Sequence, residues 1–230
     1  CRSVPVRHTM LLSIATAALG LTAVGALPAP SLAAAPAAPI AAVPPAKAFD
    51  FKPGEMRLYR DPETGEHFWY FTYEVMNRTG KDQRFAPRIE MVTDDGAIVA
   101  LGADVPSRVT RDLKKLLKDP LIEDQFSILG DLLQGEEHAK TGLVVFRVPK
   151  LSATEKKVGA HLSETENLDG TEFTVYVQGL SSESKMVQHP KTGEPLRLRA
   201  NLPMTFLVPG NPTAVGSASY APKVGEWIFR

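Results

Sequence analysis

The apolar pattern is densest from His67 to Asn77, where the sequence reads HFWYFTYEVMN. A run so rich in aromatic and β-branched side chains, closed by a turn that contains Gly80, predicts a long β-strand. Successive side chains of a strand point to opposite faces of its sheet. One face therefore carries four large side chains that we expect in the core: Trp69, Phe71, Tyr73 and Val75.

The opposite face of this strand begins with two aromatic residues, Phe68 and Tyr70. A third, Tyr176, is placed on the outward face of its own strand by the alternating sequence TEFTVYV. Exposed aromatic side chains form an apolar patch suited to a protein partner or a glycan. The alternative is that a helical segment covers Phe68 and Tyr70, in which case they belong to the interior.

Six other segments alternate or cluster apolar residues in the manner of strands. They are residues 55–60, 87–93, 97–101, 142–148, 171–177 and 196–208. Pro203 has no N–H group and predicts an edge or a bulge in the last of these, and Trp227 is expected in a final strand or clasp. About seven strands separated by turn signals indicate an all-β fold, an antiparallel β-sandwich.

Between the fourth and fifth of these strands, the apolar spacing changes to that of a helix. The residues at this spacing are Val105, Val109, Leu113, Leu116 and Leu117. Asp104 or Ser107 is expected to cap the start of the helix, which should end before Pro120. Residues 121–133 fit either a helix or a strand. The helical insertion, near residues 105–135, is expected to cover one face or end of the sandwich.

The N-terminal region has the pattern of an export signal. Arg2 and Arg7 precede the uncharged run MLLSIATAALGLTAVGAL, which small residues follow. We expect a signal peptide at residues 1–33, an Ala/Pro-rich disordered linker at 34–49 and a folded domain at 50–230. The alternative is an uncleaved membrane anchor, which would be the only membrane contact. The predicted location is outside the cytoplasm: periplasmic, at the cell surface or secreted.

The charge balance argues against a nucleic-acid partner. The chain has 26 basic and 26 acidic residues, but Arg2, Arg7 and Lys47 precede residue 50 and no acidic residue does. The predicted domain therefore has 23 basic and 26 acidic residues, a net charge of −3, whereas nucleic-acid binding requires a basic face. The single cysteine, Cys1, precedes the signal segment, so we expect neither a disulfide nor thiol chemistry in the mature domain.

The chain contains no recognisable catalytic motif. HExxH, GxSxG, Walker and CxxC sequences are all missing from it, so we expect no catalytic residues and no cofactor. Asp82, Asp94 and Asp95 lie in turns and are weak candidates for a Ca²⁺ site. The alternative, which the turn composition favours, is that these aspartates cap turns.

Three runs carry a resemblance to a known family: YEVMNRTGKD, PRIEMVTDDGAIVAL and GLVVFRVP. They resemble the telokin-like, immunoglobulin-fold domains of exported bacterial proteins, and the wider sequence is similar to uncharacterised secreted proteins of planctomycete type. The matching residues are Val75, Asn77, Thr79, Gly80, Asp82, Asp94, Asp95, Gly96, Gly142, Val144, Val145, Phe146, Val148 and Pro149. The resemblance covers residues 70–149 and implies an Ig-like fold and export, but no active site.

Taken together, these features predict an exported, non-enzymatic Ig-like module that acts in protein interaction, adhesion or as an envelope accessory domain. Its partner is expected to be an unknown envelope protein or a glycan. Two alternatives remain, a carbohydrate-binding or hydrolytic envelope protein and a sensor of a metal ion or small ligand. A hydrolase would need paired carboxylates, or a nucleophile with a base, in one pocket.

Overall fold

The computed structural model describes residues 41–42, 45, 47–94, 96–148, 172–209 and 218–230. The chain divides into two units, Cys1–Ala37 and Ala38–Arg230. The first unit, which holds the predicted signal peptide, lies outside the described residues. All the strands and the helix described below belong to the second unit.

The described residues form sixteen strands and one helix, α1 (Ser107–Leu117). The strands are β1 (Ala41–Ala42), β2 (Asp50–Pro53), β3 (Met56–Arg60), β4 (His67–Asn77), β5 (Gln83–Phe85), β6 (Arg88–Thr93), β7 (Ile98–Ala100), β8 (Ile122–Glu123), β9 (Gly130–Leu132), β10 (Gly135–Arg147), β11 (Glu172–Gln178), β12 (Ser184–Gln188), β13 (Pro195–Leu207), β14 (Ser219–Tyr220), β15 (Lys223–Val224) and β16 (Trp227–Phe229). The all-β prediction is confirmed, but the number of strands was underestimated. Most of the additional strands have two to four residues, which is too short for alternation to be visible.

The strands form two large sheets and a small ribbon. Sheet I has the order β1-β16-β13-β11-β6-β7, with β12 and β15 also paired to β13. Sheet II has the order β14-β3-β4-β10-β8, with β2 also paired to β4. The ribbon is β5 with β9. Every described pair is antiparallel except β8 with β10.

The main core lies between sheets I and II. The ring of Trp69 on β4 is 5.5 Å from that of Phe173 on β11, and Phe71 is 5.7 Å from Phe206 on β13. Tyr73 and Val75, the other two predicted core residues of β4, belong to the same buried cluster. The predicted inward face of β4 is therefore confirmed.

Helix α1 packs on the outer face of sheet II. Its buried residues Val109 and Leu113 join Phe68 and Tyr70 of β4 in a second apolar cluster. The cluster also includes Ile122, Leu143 and Val145. The predicted helix and its covering role are thus confirmed, although only residues 107–117 of the 105–135 insertion are helical.

The ends of α1 differ partly from the prediction. The N-cap is Pro106, with no side-chain hydrogen bond to the first turn, so neither Asp104 nor Ser107 caps the helix. The C-cap is Lys118, in the left-handed conformation at φ 54°. The helix therefore ends before Pro120, as predicted.

The folded part begins before the predicted boundary at residue 50. Ala41 and Ala42 pair with Ile228 and Trp227 of β16, and the N–H of Phe49 donates to Leu180 O at 2.8 Å. The predicted linker at 34–49 is therefore wrong for these residues. A short edge strand needs only backbone hydrogen bonds, so its Ala-rich sequence gave no periodic signal.

Pro203 lies inside sheet I, so of the two predicted alternatives, an edge or a bulge, the edge is wrong and an irregularity of the sheet is observed. Residue 203 pairs with Tyr176 of β11 on one side, and on the other side the neighbour of β13 changes from β16 to β15. There Gly225 N–H donates to Pro203 O at 2.9 Å. The irregular neighbour accommodates a residue that has no N–H group to donate.

Candidate functional site

The predicted aromatic interaction surface does not exist on β4. Phe68 is 0 % exposed and Tyr70 is 6 % exposed. Both lie beneath Val109 and Leu113 of α1. These two candidates are corrected to interior residues, because the helix buries the second apolar face of the strand.

Tyr176 is also not an open aromatic face. Its side chain is half-buried, and the guanidinium carbon of Arg230 lies 4.3 Å from the centre of its ring. Arg230 in turn forms an ion pair with Glu90 at 3.1 Å. The ring face is occupied by a cation from the same chain, an interaction that stabilises the pair.

The acidic candidates for a metal site are not brought together. The carboxylate of Asp82 accepts a hydrogen bond of 2.9 Å from the N–H of Gln134. Asp94 lies in the turn after β6, and Asp95 is outside the described residues. Within the described ranges, no group of three or more His, Cys, Asp or Glu residues is placed to hold a metal ion.

Asn77, at the end of β4, is one of the residues that carry the resemblance, and its role is structural. The buried Asn77 amide donates to Leu132 O at 2.7 Å and to Lys81 O at 2.9 Å. Its carbonyl oxygen accepts from Thr79 N at 3.0 Å and from the Thr79 hydroxyl at 2.8 Å. These bonds join the end of β4 to the turn that follows it and to β9. Asn77 and Thr79 therefore stabilise the fold.

A concavity of about 700 Å³ lies between α1 and the segment that follows it. We call it the basic groove. From α1 and its C-cap it is lined by Ser107, Thr110, Arg111, Lys114, Lys115 and Lys118. From the following segment it is lined by Asp119, Pro120, Asp124, Gln125 and Phe126, and Val105 completes it. Its volume falls within the range of small-ligand sites.

The cations of the basic groove follow from helical geometry. Residues three or four positions apart lie on one face of a helix, which places Arg111, Lys114 and Lys115 on one face of α1. Lys118, the left-handed C-cap residue, extends this row of cations past the last helical turn. The opposite stripe, at Val109 and Leu113, is buried. The same amphipathic pattern therefore packs the helix and aligns the charges.

The other wall of the groove is a rigidly built segment. Asp119 accepts from Leu121 N at 2.9 Å, and Asp124 accepts from Phe126 N at 3.0 Å and Ser127 N at 2.9 Å. On either side of the Asp124 turn, Ile122 and Ile128 are buried in the helix cluster and the main core. These turns and anchors position the segment beside α1.

The apolar element of the groove is Phe126, whose exposed fraction is 75 %. Its backbone N–H is fixed by Asp124, and the neighbouring Gln125 amide fills the space that a Cβ at Gly102 would need. An exposed aromatic ring on an anchored turn is available as a contact surface for a ligand.

The cations of the groove are only loosely compensated. Lys114 Nζ lies 3.9 Å from Asp124 Oδ2, while Arg111 and Lys115 lie 3.8 and 3.7 Å from Asp112 Oδ1. Burial would raise the pKa of Asp124, but hydrogen bonds from Ser127 and Phe126 outweigh it and lower that pKa. The carboxylate therefore stays charged and held by its own turn.

The N-terminal part of α1 is fixed by a buried ion pair. Asp61, in the β3–β4 turn, is 1 % exposed and accepts a hydrogen bond from Arg108 Nη2. Arg108 Nε also lies 3.1 Å from Glu63 Oε2, although it is not aligned to donate there. This pair joins the helix to sheet II and so fixes one wall of the groove.

The basic groove is a candidate site that sequence reasoning missed. The spacing of Arg111, Lys115 and Lys118 was a usable signal, since it predicts one charged line. What could not be predicted was the second wall, because residues 121–133 fitted a helix as well as a strand.

None of the helices in the part of the chain that the structure describes is long and apolar enough to cross a membrane. Comparison of the chain with family models, with curated proteins and with solved structures finds no match. The basic groove is therefore the feature of the described residues that points to a function.

Proposed function

We propose that this protein is an exported, non-enzymatic Ig-like module that binds a component of the cell envelope through the basic groove. The observation that carries the proposal is the groove itself: a ligand-sized concavity lined by four cations and one exposed aromatic ring. Such a combination of a few polar groups with an apolar contact is typical of binding sites.

Export is supported by the N-terminal sequence, in which Arg2 and Arg7 precede a long uncharged apolar run. The Ig-like assignment is supported by the resemblance to telokin-like domains and by two antiparallel sheets that share one core. The binding role is supported by the cations that line the groove and by the exposed ring of Phe126.

The test is capture from the envelope fraction of the producing cell. The full chain and its Arg111→Gln, Lys115→Gln, Lys118→Gln variant are immobilised, and bound proteins and glycans are identified by mass spectrometry. The control variant, Lys81→Gln, Lys191→Gln, Lys223→Gln, makes the same change in charge at exposed positions outside the groove.

We expect the unmodified chain and the control to retain the same component and the groove variant to lose it. No retention by the unmodified chain, or equal retention by all three proteins, would contradict the proposal. Export itself is tested by fractionation of cells that express a C-terminally tagged chain, and recovery of the tag only in the cytoplasm would contradict it.

A further inference from the structure

We propose that the basic groove binds an acidic oligosaccharide, a chain of sugars that carry carboxylate or sulfate groups. The inference rests on the proposed function and names the chemical class of its ligand. It follows from the charge, the spacing and the polar and aromatic lining of the groove.

The charge of the groove selects an anion. Four cations face two aspartates, Asp119 and Asp124, and one oxygen of each aspartate already accepts backbone hydrogen bonds within its own turn. The C-terminal end of a helix by itself repels anions. The lysines at this end of α1 reverse the sign of the local field, so an anionic ligand is favoured.

The spacing selects an extended ligand. Arg111 and Lys115 are about 6 Å apart along the helix axis, because each residue rises ~1.5 Å, and Lys118 extends the row past the last helical turn. The cations of this row are about one helical turn apart and are spread along the groove rather than gathered around one point. A chain with repeated negative charges can contact several of these cations at once, whereas a single small anion cannot.

The remaining lining favours a saccharide over an acidic peptide. Ser107, Thr110 and Gln125 present hydroxyl and amide groups, which pair with sugar hydroxyls. The exposed ring of Phe126 offers a negative π-face to the C–H groups of a sugar ring. A peptide would also bring backbone C=O groups, and the N–H groups of the helical wall beyond its first turn are already paired.

The binding test uses the full chain and defined probes in isothermal titration calorimetry. The probes are oligogalacturonate, sulfated dextran oligosaccharide, neutral dextran oligosaccharide and oligoglutamate, matched in length. We expect at least one acidic saccharide to bind and the neutral one not to bind. Raising the salt from about 0.05 M to about 0.5 M should weaken binding, because it screens exposed charges.

Variants locate the site. The Arg111→Gln, Lys115→Gln, Lys118→Gln protein should bind the acidic saccharide about tenfold or more weakly, whereas the Lys81→Gln, Lys191→Gln, Lys223→Gln control should be unchanged.

Phe126→Leu keeps an apolar side chain but removes the ring, and should weaken binding about three- to tenfold. Leu121→Ala is its control, because Leu121 is exposed and outside the groove. Circular dichroism checks that each variant is folded.

Three results would overturn the inference: no binding of either acidic saccharide, binding that the groove variant does not weaken, or tighter binding of oligoglutamate. The two acidic probes distinguish a carboxylated from a sulfated ligand. Capture of an envelope component that depends on the groove, together with no saccharide binding, would overturn only the inference. Failure of that capture would contradict the proposed function.

Discussion

Asp61 is a charged residue in an almost fully buried position, at the turn between β3 and β4. Its oxygens accept from Glu63 N at 3.1 Å, from the Thr64 hydroxyl at 2.7 Å and from Arg108. The Thr64 hydrogen bond, and after it Arg108, lower the pKa of Asp61 against the opposing effect of burial.

The surroundings of Asp61 predict that the folded protein loses stability at acidic pH. The folded pKa of Asp61 lies below its ordinary value of 3.8, so its stabilising effect is complete above that value and is lost as the pH falls through the folded pKa. Asp61→Asn should therefore lower the urea midpoint at about pH 6 and have a much smaller effect near pH 3. Asp131→Asn, which removes the same charge at an exposed position, is the control and should lower the urea midpoint less at about pH 6. An equal loss at both pH values for Asp61→Asn would contradict this account.

Gly142 and Tyr73 predict a second residue-scale effect. They are directly opposite in the β4–β10 pair, and the Tyr73 ring occupies the space that a Cβ at Gly142 would need. Gly142→Ala should lower the free energy of unfolding by about 1–3 kcal/mol, measured by urea denaturation. In a Tyr73→Leu background the loss should be smaller, and an equal loss there would show that the ring is not the cause.

At the scale of elements, α1 is stabilised by packing rather than by capping. Leu113 is completely buried against sheet II, whereas Leu116, three residues on, is 57 % exposed. Leu113→Ala should cost about 2–4 kcal/mol through lost burial and a cavity. Leu116→Ala should change stability by no more than about 0.5 kcal/mol. Similar losses for the two variants in thermal or urea denaturation would contradict this orientation of the helix.

The C-terminal end of α1 predicts a stabilising change. Lys118 adopts φ 54°, a conformation that costs a non-glycine residue roughly 1 kcal/mol. Lys118→Gly should therefore raise the melting temperature slightly, while weakening ligand binding by loss of one groove cation. Lys115→Gly, inside the helix, should instead destabilise by about 1 kcal/mol. A lower melting temperature for Lys118→Gly would contradict the strain argument.

At the scale of the whole folded unit, the two large sheets share one core. Phe206 of sheet I contacts the rings of Phe71 and Phe173, so it bridges both sheets. Phe206→Ala should lower the free energy of unfolding by about 3–5 kcal/mol. Because the core is shared, far-UV circular dichroism and tryptophan fluorescence should report one coincident transition. Separate transitions would show that the sheets unfold independently.

The elements that were predicted well from the sequence are those long enough to show several repeats of the apolar pattern. The alternation in β4, β11 and most of β13 gave the correct inward residues, such as Phe173 and Met204. The spacing of Val109 and Leu113 gave the correct helix. These patterns are readable because burying one face of a strand or helix requires apolar residues at every second or every third to fourth position.

By itself, then, the sequence determined which faces of the long elements are apolar, since that depends only on local periodicity. Tertiary structure decided which element packs on each apolar face. Phe68 and Tyr70 were compatible both with an open patch and with an interior layer until α1 was placed over them. The basic groove was decided in the same way, because its second wall, at Asp124 and Phe126, follows from where Ile122 and Ile128 find apolar partners.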